Sequence, residues 1–204
     1  MDYRSLKNLD PNNTFFTSDT HFGHKNIINL CNRPFDSVEE MNEAIVTNWN
    51  NTVNDDSVIF HLGDVVFGGT GVWENTVAKL KGHIILILGN HEYKNMKEKH
   101  KTYFDFITPQ VEINIEGREI ILNHYPFLTY GGVWRSSENA VWQLHGHCHT
   151  GPNSNGADDG RCALRFPTQL EVGVDAFNFT PVSWKTVKDI IENQVVNYSK
   201  DLPF

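Results

Sequence analysis

Five short apolar runs punctuate the chain, and each ends abruptly in residues that can hold a metal. Thr14–Ser18 runs into Asp19-Thr20-His21, and Ser57–Leu62 into Gly63-Asp64. Ile84–Leu88 leads to Gly89-Asn90-His91-Glu92, Ile120–Leu122 to Asn123-His124, and Val141–Leu144 through His145 to Gly146-His147-Cys148-His149. Runs this short, rich in β-branched and aromatic residues and bounded by turn residues, predict buried strands of an α/β sheet. The polar residues then collect at the carboxyl edge of the sheet, where such folds bind ligands. Gly63 lets the backbone turn sharply to present Asp64. In Asp19-x-His21 and His147-x-His149 the period of two of a strand points both side chains of a pair the same way, so each pair can grip one ion.

Between these runs the apolar period becomes helical. Ser37-Val-Glu-Glu40 has the form of a capping box, and it opens a helix with Met41, Ala44, Ile45, Trp49 and Val53 on one face. Trp73, Val77 and Leu80 mark a second helix closed by Gly82. Asn95–Phe106 reads as a third, with Met96, Tyr103 and Phe104 inward, and Trp184, Val187, Ile190 and Ile191 form the face of a last one. Phe22–Pro34 is expected as a loop and short helix over the strand ends. Val111–Ile115 and Glu119–Asn123 alternate around Glu116-Gly117-Arg118, a hairpin signal, and Leu170–Val174 reads as a further strand. Pro126–Asn139 and Thr150–Thr168 are excursions rich in turn residues. No repeat or linker divides the chain, so residues 1–204 are expected to form a single domain.

Composition narrows the partners. A chain of 204 residues with 39% hydrophobic content can bury a sizeable core. A formal charge of -8 and a pI near 5.6 disfavour a stable complex with duplex nucleic acid. Cys31, Cys148 and Cys162 are few and odd in number, so no disulfide framework is implied. The first residues lack a signal-peptide pattern and no run approaches the length of a membrane span, so a cytoplasmic location and no membrane partner are expected. The ligand-bearing residues are oxygen and nitrogen donors, which suit manganese, iron, nickel or zinc better than calcium. They exceed what one ion needs, which argues for two divalent ions bridged by Asp64.

Together, Asp19-x-His21, Gly63-Asp64, Gly89-Asn90-His91, His124 and Gly146-His147-x-His149 resemble the five signature motifs of the calcineurin-like metallophosphoesterases, in the family's order. The opening Asp19-Thr20-His21-Phe22-Gly23-His24 is most similar to the small stand-alone phosphoesterases of bacteria and their phages. The resemblance implies an α/β (α+β) fold, a four-layer α/β/β/α sandwich of two mixed sheets flanked by helices. It implies one ion held by Asp19, His21, Asp64 and His149, and a second by Asp64, Asn90, His124 and His147, manganese first and iron, zinc or nickel as alternatives. Asp64 is then a catalytic bridge beneath a metal-bridging hydroxide that attacks phosphorus in line. His91 would contact the phosphate and protonate the leaving oxygen, and Glu92 is read as structural.

One departure from the pattern bears on the substrate. The protein phosphatases of this superfamily continue Gly-Asp with Asp-Arg-Gly, whereas Gly63-Asp64 runs into Val65-Val66-Phe67-Gly68. Arg33 and Arg135 are candidates to replace the missing arginine at the substrate, with Asn90, His91 and His24 beside them. The expected substrate is a small phosphodiester of nucleotide or cyclic-nucleotide type, its base stacked on Tyr130, Trp134 or Phe166. Alternatives are a phosphomonoesterase or protein phosphatase of the same superfamily, a nuclease, and an inactive metal-binding scaffold. The oligomeric state is left open. His61, His83 and His100 are read as packed or solvated, and Cys148 as core. Lys94, Lys97, Lys99 and Lys101 are read as a solvated face. Spacing alone does not separate His145 from His147 and His149; only the family pattern does.

Overall fold

Phe15, Phe16, Ile59, Phe60, Ile84 and Ile85 occupy successive strand positions and are all buried, as parallel strands between two layers require. In the computed structural model, which describes Leu6 and residues 9–135, 139–150 and 166–201, they lie in a five-stranded sheet. Its strands β1 (Thr14–Thr17), β2 (Val58–His61), β3 (His83–Ile87) and β4 (Phe106–Thr108) run parallel, in the order β4-β3-β2-β1. A second sheet is built from β5 (Gln110–Ile115), β6 (Arg118–Asn123), β7 (Trp142–His145) and β8 (Gln169–Glu171), in chain order. β5 and β6 form the expected hairpin, with Glu116 and Gly117 at φ 52° and 83°, and β6, β7 and β8 are parallel. The short strand β9 (Val182–Ser183) closes the first sheet antiparallel to β1.

The two sheets bury a common core. Phe16, Phe60, Leu62 and Ile85 of one meet Ile113, Leu122, Trp142 and Leu144 of the other, joined by Trp184, Val187 and Ile191. The opposite face of the first sheet packs on helices: α1 (Ile27–Leu30), α2 (Val38–Thr52) and α3 (Thr70–Asn75) supply Ile27, Met41, Ile45, Trp49 and Trp73 to a second cluster. The helices α4 (Glu92–Asn95) and α5 (Trp184–Asp201) complete the elements used below. The fold is thus α/β, two mixed sheets flanked by helices, as the sequence implied.

Local chemistry explains where the elements depart from expectation. The Ser37 hydroxyl caps α2 by accepting the Glu40 N–H, but Glu40 reaches back to the N–H of Asp36 rather than of Ser37. Asn95–Phe106 is not one helix. α4 stops at Asn95, a 3-10 turn spans Glu98–Tyr103, and Phe106 enters β4. His100 stacks on Trp73 at 4.4 Å and Phe104 meets it edge-on at 6.2 Å, and these contacts override helical propensity. Cys31 is a free buried thiol, and Cys162 lies outside the described residues.

The outer face of the second sheet carries a buried polar row. Trp142 and Leu144 enter the core, so alternation turns Gln143 and His145 outward, beside their partners Gln169 and Glu171. The segment after β6 covers them. Gln143 accepts the Phe127 N–H and donates to the Tyr125 carbonyl, while Gln169 donates to the Phe127 carbonyl. Glu171 is the costly member. Its Oε2 accepts from the Thr150 N–H and hydroxyl, but its buried Oε1 has no partner among the described residues. Burial pushes its pKa from 4.5 up to about 7. An acid whose folded pKa is raised opposes folding once ionised: full stability holds below pH 4.5 and is lost as the pH rises through 7. Glu171→Gln is therefore expected to raise the melting free energy at pH 8 by up to about 3 kcal/mol, at 1.36 kcal/mol per unit, with no gain at pH 4. Denaturant titrations at the two pH values check it.

Candidate metal centre

The strand ends are held in an unusual backbone. Beyond β1 and β2 the two segments stay paired, Asp19 N–H donating to the Gly63 carbonyl and His21 N–H to that of Asp64, both at 3.0 Å. Asp19, His21, Asp64, His147 and His149 have φ of 58°, 49°, 58°, 72° and 50°. Non-glycine residues are uncommon in this left-handed region, and each costs on the order of 1–3 kcal/mol. The pairs therefore converge through left-handed turns past the strands and not through strand alternation. The glycines make room for this. A Cβ on Gly63, at φ 94°, would lie 2.6 Å from the Gly89 nitrogen and 2.8 Å from His124 Nδ1, and one on Gly146 would overlap Ser18 Oγ and Asp19 Oδ2. Glu92 ties the turns together, accepting N–H groups from Asp64, Val65 and Gly89 at 2.7–3.0 Å.

Four donor groups result among the described residues; two of them, His21 with Asp64 and His91, and Cys31 with His149 and Asp175, share members with the pair described next. Asp19, His21 and His149 offer atoms within 4.8 Å of one another, and so do Asp64, His124 and His147. His21 Nε2 and His149 Nε2 face each other at 3.2 Å, with Asp19 Oδ1 3.9 and 3.7 Å from them. Asp64 Oδ2 lies 3.7 Å from His21 Nε2 and 3.6 Å from His124 Nε2, so it faces both groups. His124 Nδ1 is committed to the Leu62 carbonyl at 2.7 Å, which leaves Nε2 for the site, 3.0 Å from Asn90 Oδ1. His91 Nε2 is 3.7 Å from Asp64 Oδ2, and its N–H donates to Asp64 Oδ1. Asp19 Oδ1 is buried with no hydrogen-bond partner among the described residues. A buried, unpartnered carboxylate oxygen among imidazole nitrogens is a donor set that fits a divalent cation.

Charge within the cluster is uneven. Burial opposes both the ionisation of Asp19 and the protonation of His149, yet each favours the other: Asp19 is lowered and His149 is raised to about 11, with Asp175 adding to the latter. Asp64 is raised to about 7 by burial and by the charge of Asp19. His21 lies well below 6.5, first through burial and then through His149.

The sequence missed Asp175. Its Oδ2 lies 2.8 Å from His149 Nδ1 and orients that imidazole, while both oxygens take Arg33 through Nε and Nη2 at 2.8 and 2.9 Å. Arg33 also donates to the carbonyls of Thr20 and Asp19. This corrects its expected place at the substrate: Arg33 is buried and its donors are spent within the protein. The signal was available, since Gly173-Val174-Asp175 follows β8 as Gly63-Asp64 follows β2.

A cavity of about 450 Å³ opens over the cluster, lined by His21, His24, Asp64, Asn90, His91 and His149 among others. Arg135 is elsewhere, paired with Glu119 at 2.9 Å beside β5 and β6. Tyr130, Trp134 and Phe166 do not line the cavity; Tyr130 and Trp134 pack edge-on against Phe166 at 6.2 and 4.9 Å. The rings beside the site are others: Phe67 on His24 and His91, and Tyr125 on His124 and His147. His61, His83 and His100 are structural or solvated as expected: His61 bonds Thr20, His83 meets Asp105 at the surface, and His100 packs on Trp73.

The model of the calcineurin-like phosphoesterase family matches residues 13–178, which span every strand end described above. The chain belongs to this family. The chain is 32% identical over 191 residues to the uncharacterized protein MJ1445 of Methanocaldococcus jannaschii, covering 92% of this chain and 97% of that one. It is 26% identical over 162 residues to the gene 66 protein of Mycobacterium phage L5, covering 68% and 78%. A solved structure of the Aquifex aeolicus protein AQ665, of unknown function, superposes with a TM-score of 0.62 at 28% identity, covering 87% of this chain and 98% of that one. Calcineurin-like phosphoesterases are metal-dependent hydrolases of phosphoric esters, and the donor groups here agree with that chemistry.

The Asp175 contact carries a testable consequence. Asp175→Asn should weaken metal binding by about 10–100-fold, the usual effect of losing a carboxylate behind a ligating imidazole. It should also lower stability by leaving the Arg33 charge buried. Calorimetric metal titration and a melting curve measure the two effects separately.

Proposed function

We propose that this phosphoesterase is a binuclear phosphodiesterase acting on a small, nucleotide-type diester. The observation that carries the reading is the position of Asp64 Oδ2 between His21 on one side and His124 on the other, at 3.7 and 3.6 Å. Asp19, His21, Asp64 and His149 would hold one divalent ion, and Asp64, Asn90, His124 and His147 the second, manganese being the first choice. Two such ions, when bound, supply a water of depressed pKa and polarise the phosphoryl oxygens. The chain's own share is positional: Glu92 fixes the Asp64 turn, Asp175 fixes His149, and Leu62 fixes His124. His91 lines the cavity, which supports a role in giving a proton to the leaving oxygen. Burial holds its pKa below 6.5, so the benefit of His91 should grow as the pH falls.

A diester is favoured over a monoester by charge. A dianionic monoester needs extra cations beside the metals, because an unpaired buried charge is costly. Among the described residues lining the cavity there is no lysine or arginine. A chain of net charge -8 supplies no compensating field and argues against a nuclease. Among the described residues no helix is long and apolar enough to cross a membrane, and a cytoplasmic site of action is part of this proposal.

The reading is tested with manganese-loaded protein on bis(p-nitrophenyl) phosphate and p-nitrophenyl phosphate. The diester should show the higher kcat/KM, and a clear monoester preference would sink the diester reading. Asp64→Asn should lose activity and bound metal together. His91→Ala should keep its metal but lose about 10²–10⁴-fold in kcat, less for substrates with good leaving groups.

A further inference from the structure

A second cavity of about 310 Å³ adjoins the first and shares His24 with it; Gly23, Lys25, Asn26, Phe67, Gly68 and Asn95 complete its walls. That volume is at the lower end of small-molecule sites, roughly 300–1,000 Å³. Phe67 is the feature that decides its chemistry. Val65 and Val66 before it are fully buried, and its own N–H is pinned to the Phe22 carbonyl at 2.9 Å, yet its side chain is 42% exposed. Gly23 permits this close approach, since a Cβ there would lie 3.1 Å from the Phe67 carbonyl. The ring lies 4.2 Å from His24 and 5.3 Å from His91, centroid to centroid. Asn95 donates to the His91 carbonyl, so the same wall holds the proposed acid. His24 Nδ1 accepts the Ile27 N–H, which puts its proton on Nε2 and keeps the imidazole in place as the partition between the cavities.

We infer that this cavity is the leaving-group subsite and that it takes a nucleoside, its base stacked on Phe67. The inference rests on the phosphodiesterase reading and names which ester arm goes where. In the step it serves, water oxygen forms a new bond to phosphorus and releases a proton to solvent, the P–O bond to the nucleoside breaks, and the leaving oxygen takes a proton from His91, which solvent then restores. A flat apolar ring beside the acid fits a base, because base–aromatic stacking is tolerant of sequence and strong enough to set substrate preference.

The test compares a dinucleoside monophosphate with dimethyl phosphate, a diester with no nucleoside on either arm, in manganese, for the wild type, Phe67→Ala, Phe67→Leu and Phe67→Trp. The ratio of kcat/KM for the two substrates should fall about 10-fold in Phe67→Ala and Phe67→Leu, mainly through KM, and be restored in Phe67→Trp. The leucine variant keeps apolar packing without a flat ring, so it reads the effect even where alanine impairs folding. An unchanged ratio, with both substrates losing equally, would overturn the inference and leave Phe67 as a support for His24 and His91. Equilibrium binding of adenosine to the metal-loaded protein gives a readout independent of diester cleavage. Saturable binding weakened in Phe67→Leu supports the subsite even if neither diester is hydrolysed, and no binding at millimolar adenosine overturns it.

Discussion

Left-handed backbone at the donor-bearing turns is the constraint on which the rest of the molecule depends. Asp19, His21, Asp64, His147 and His149 all adopt it, and their side chains converge beyond the ends of the strands. Such strain persists only where the surroundings over-determine it. Here the surroundings are the paired segments after β1 and β2, the glycines that let neighbouring turns touch, and the Glu92 carboxylate that accepts three backbone N–H groups. The fully buried strands behind these turns act as the rigid base.

Chemistry at the site follows from how each imidazole is held from behind. His124 is fixed by a backbone carbonyl and His149 by a carboxylate, so the two begin with different charge environments. The Arg33 guanidinium completes the second arrangement, neutralising Asp175 and gripping the carbonyls of Asp19 and Thr20. One buried cation thus braces the backbone of the Asp19 turn and the side chain that orients His149 beyond the second sheet. Arginine suits this role because its planar fork serves several acceptors at once and keeps its charge when buried.

Much of this was legible in the sequence, for physical reasons. Short apolar runs ending in Asp, Asn or His located five strand ends, because burial and metal ligation each demand few residue types. Why the ligands converge was misread, since period two holds only inside a strand and Asp19, His21, His147 and His149 lie beyond one. Arg33 was misplaced because a sequence shows a cation but not its partner 142 residues away. The helix expected over Asn95–Phe106 failed for a similar reason, its course being set by Trp73 on a different element. Phe67 was noted only as a replacement for a missing motif, and its exposure beside His91 is a property of the folded turn.

His21 and His149, whose ring nitrogens lie 3.2 Å apart, are separated by 128 positions along the chain. Loops that long are entropically expensive to close before other contacts exist, so this half of the site cannot be a local folding nucleus. Both sheets must dock before the donors meet. Metal ions that bind the assembled donors therefore select the fully closed domain and stabilise it by mass action in proportion to their concentration. A metal held by the cluster would in this sense be a latch on the interface between the two sheets, and its occupancy would report the integrity of the whole fold.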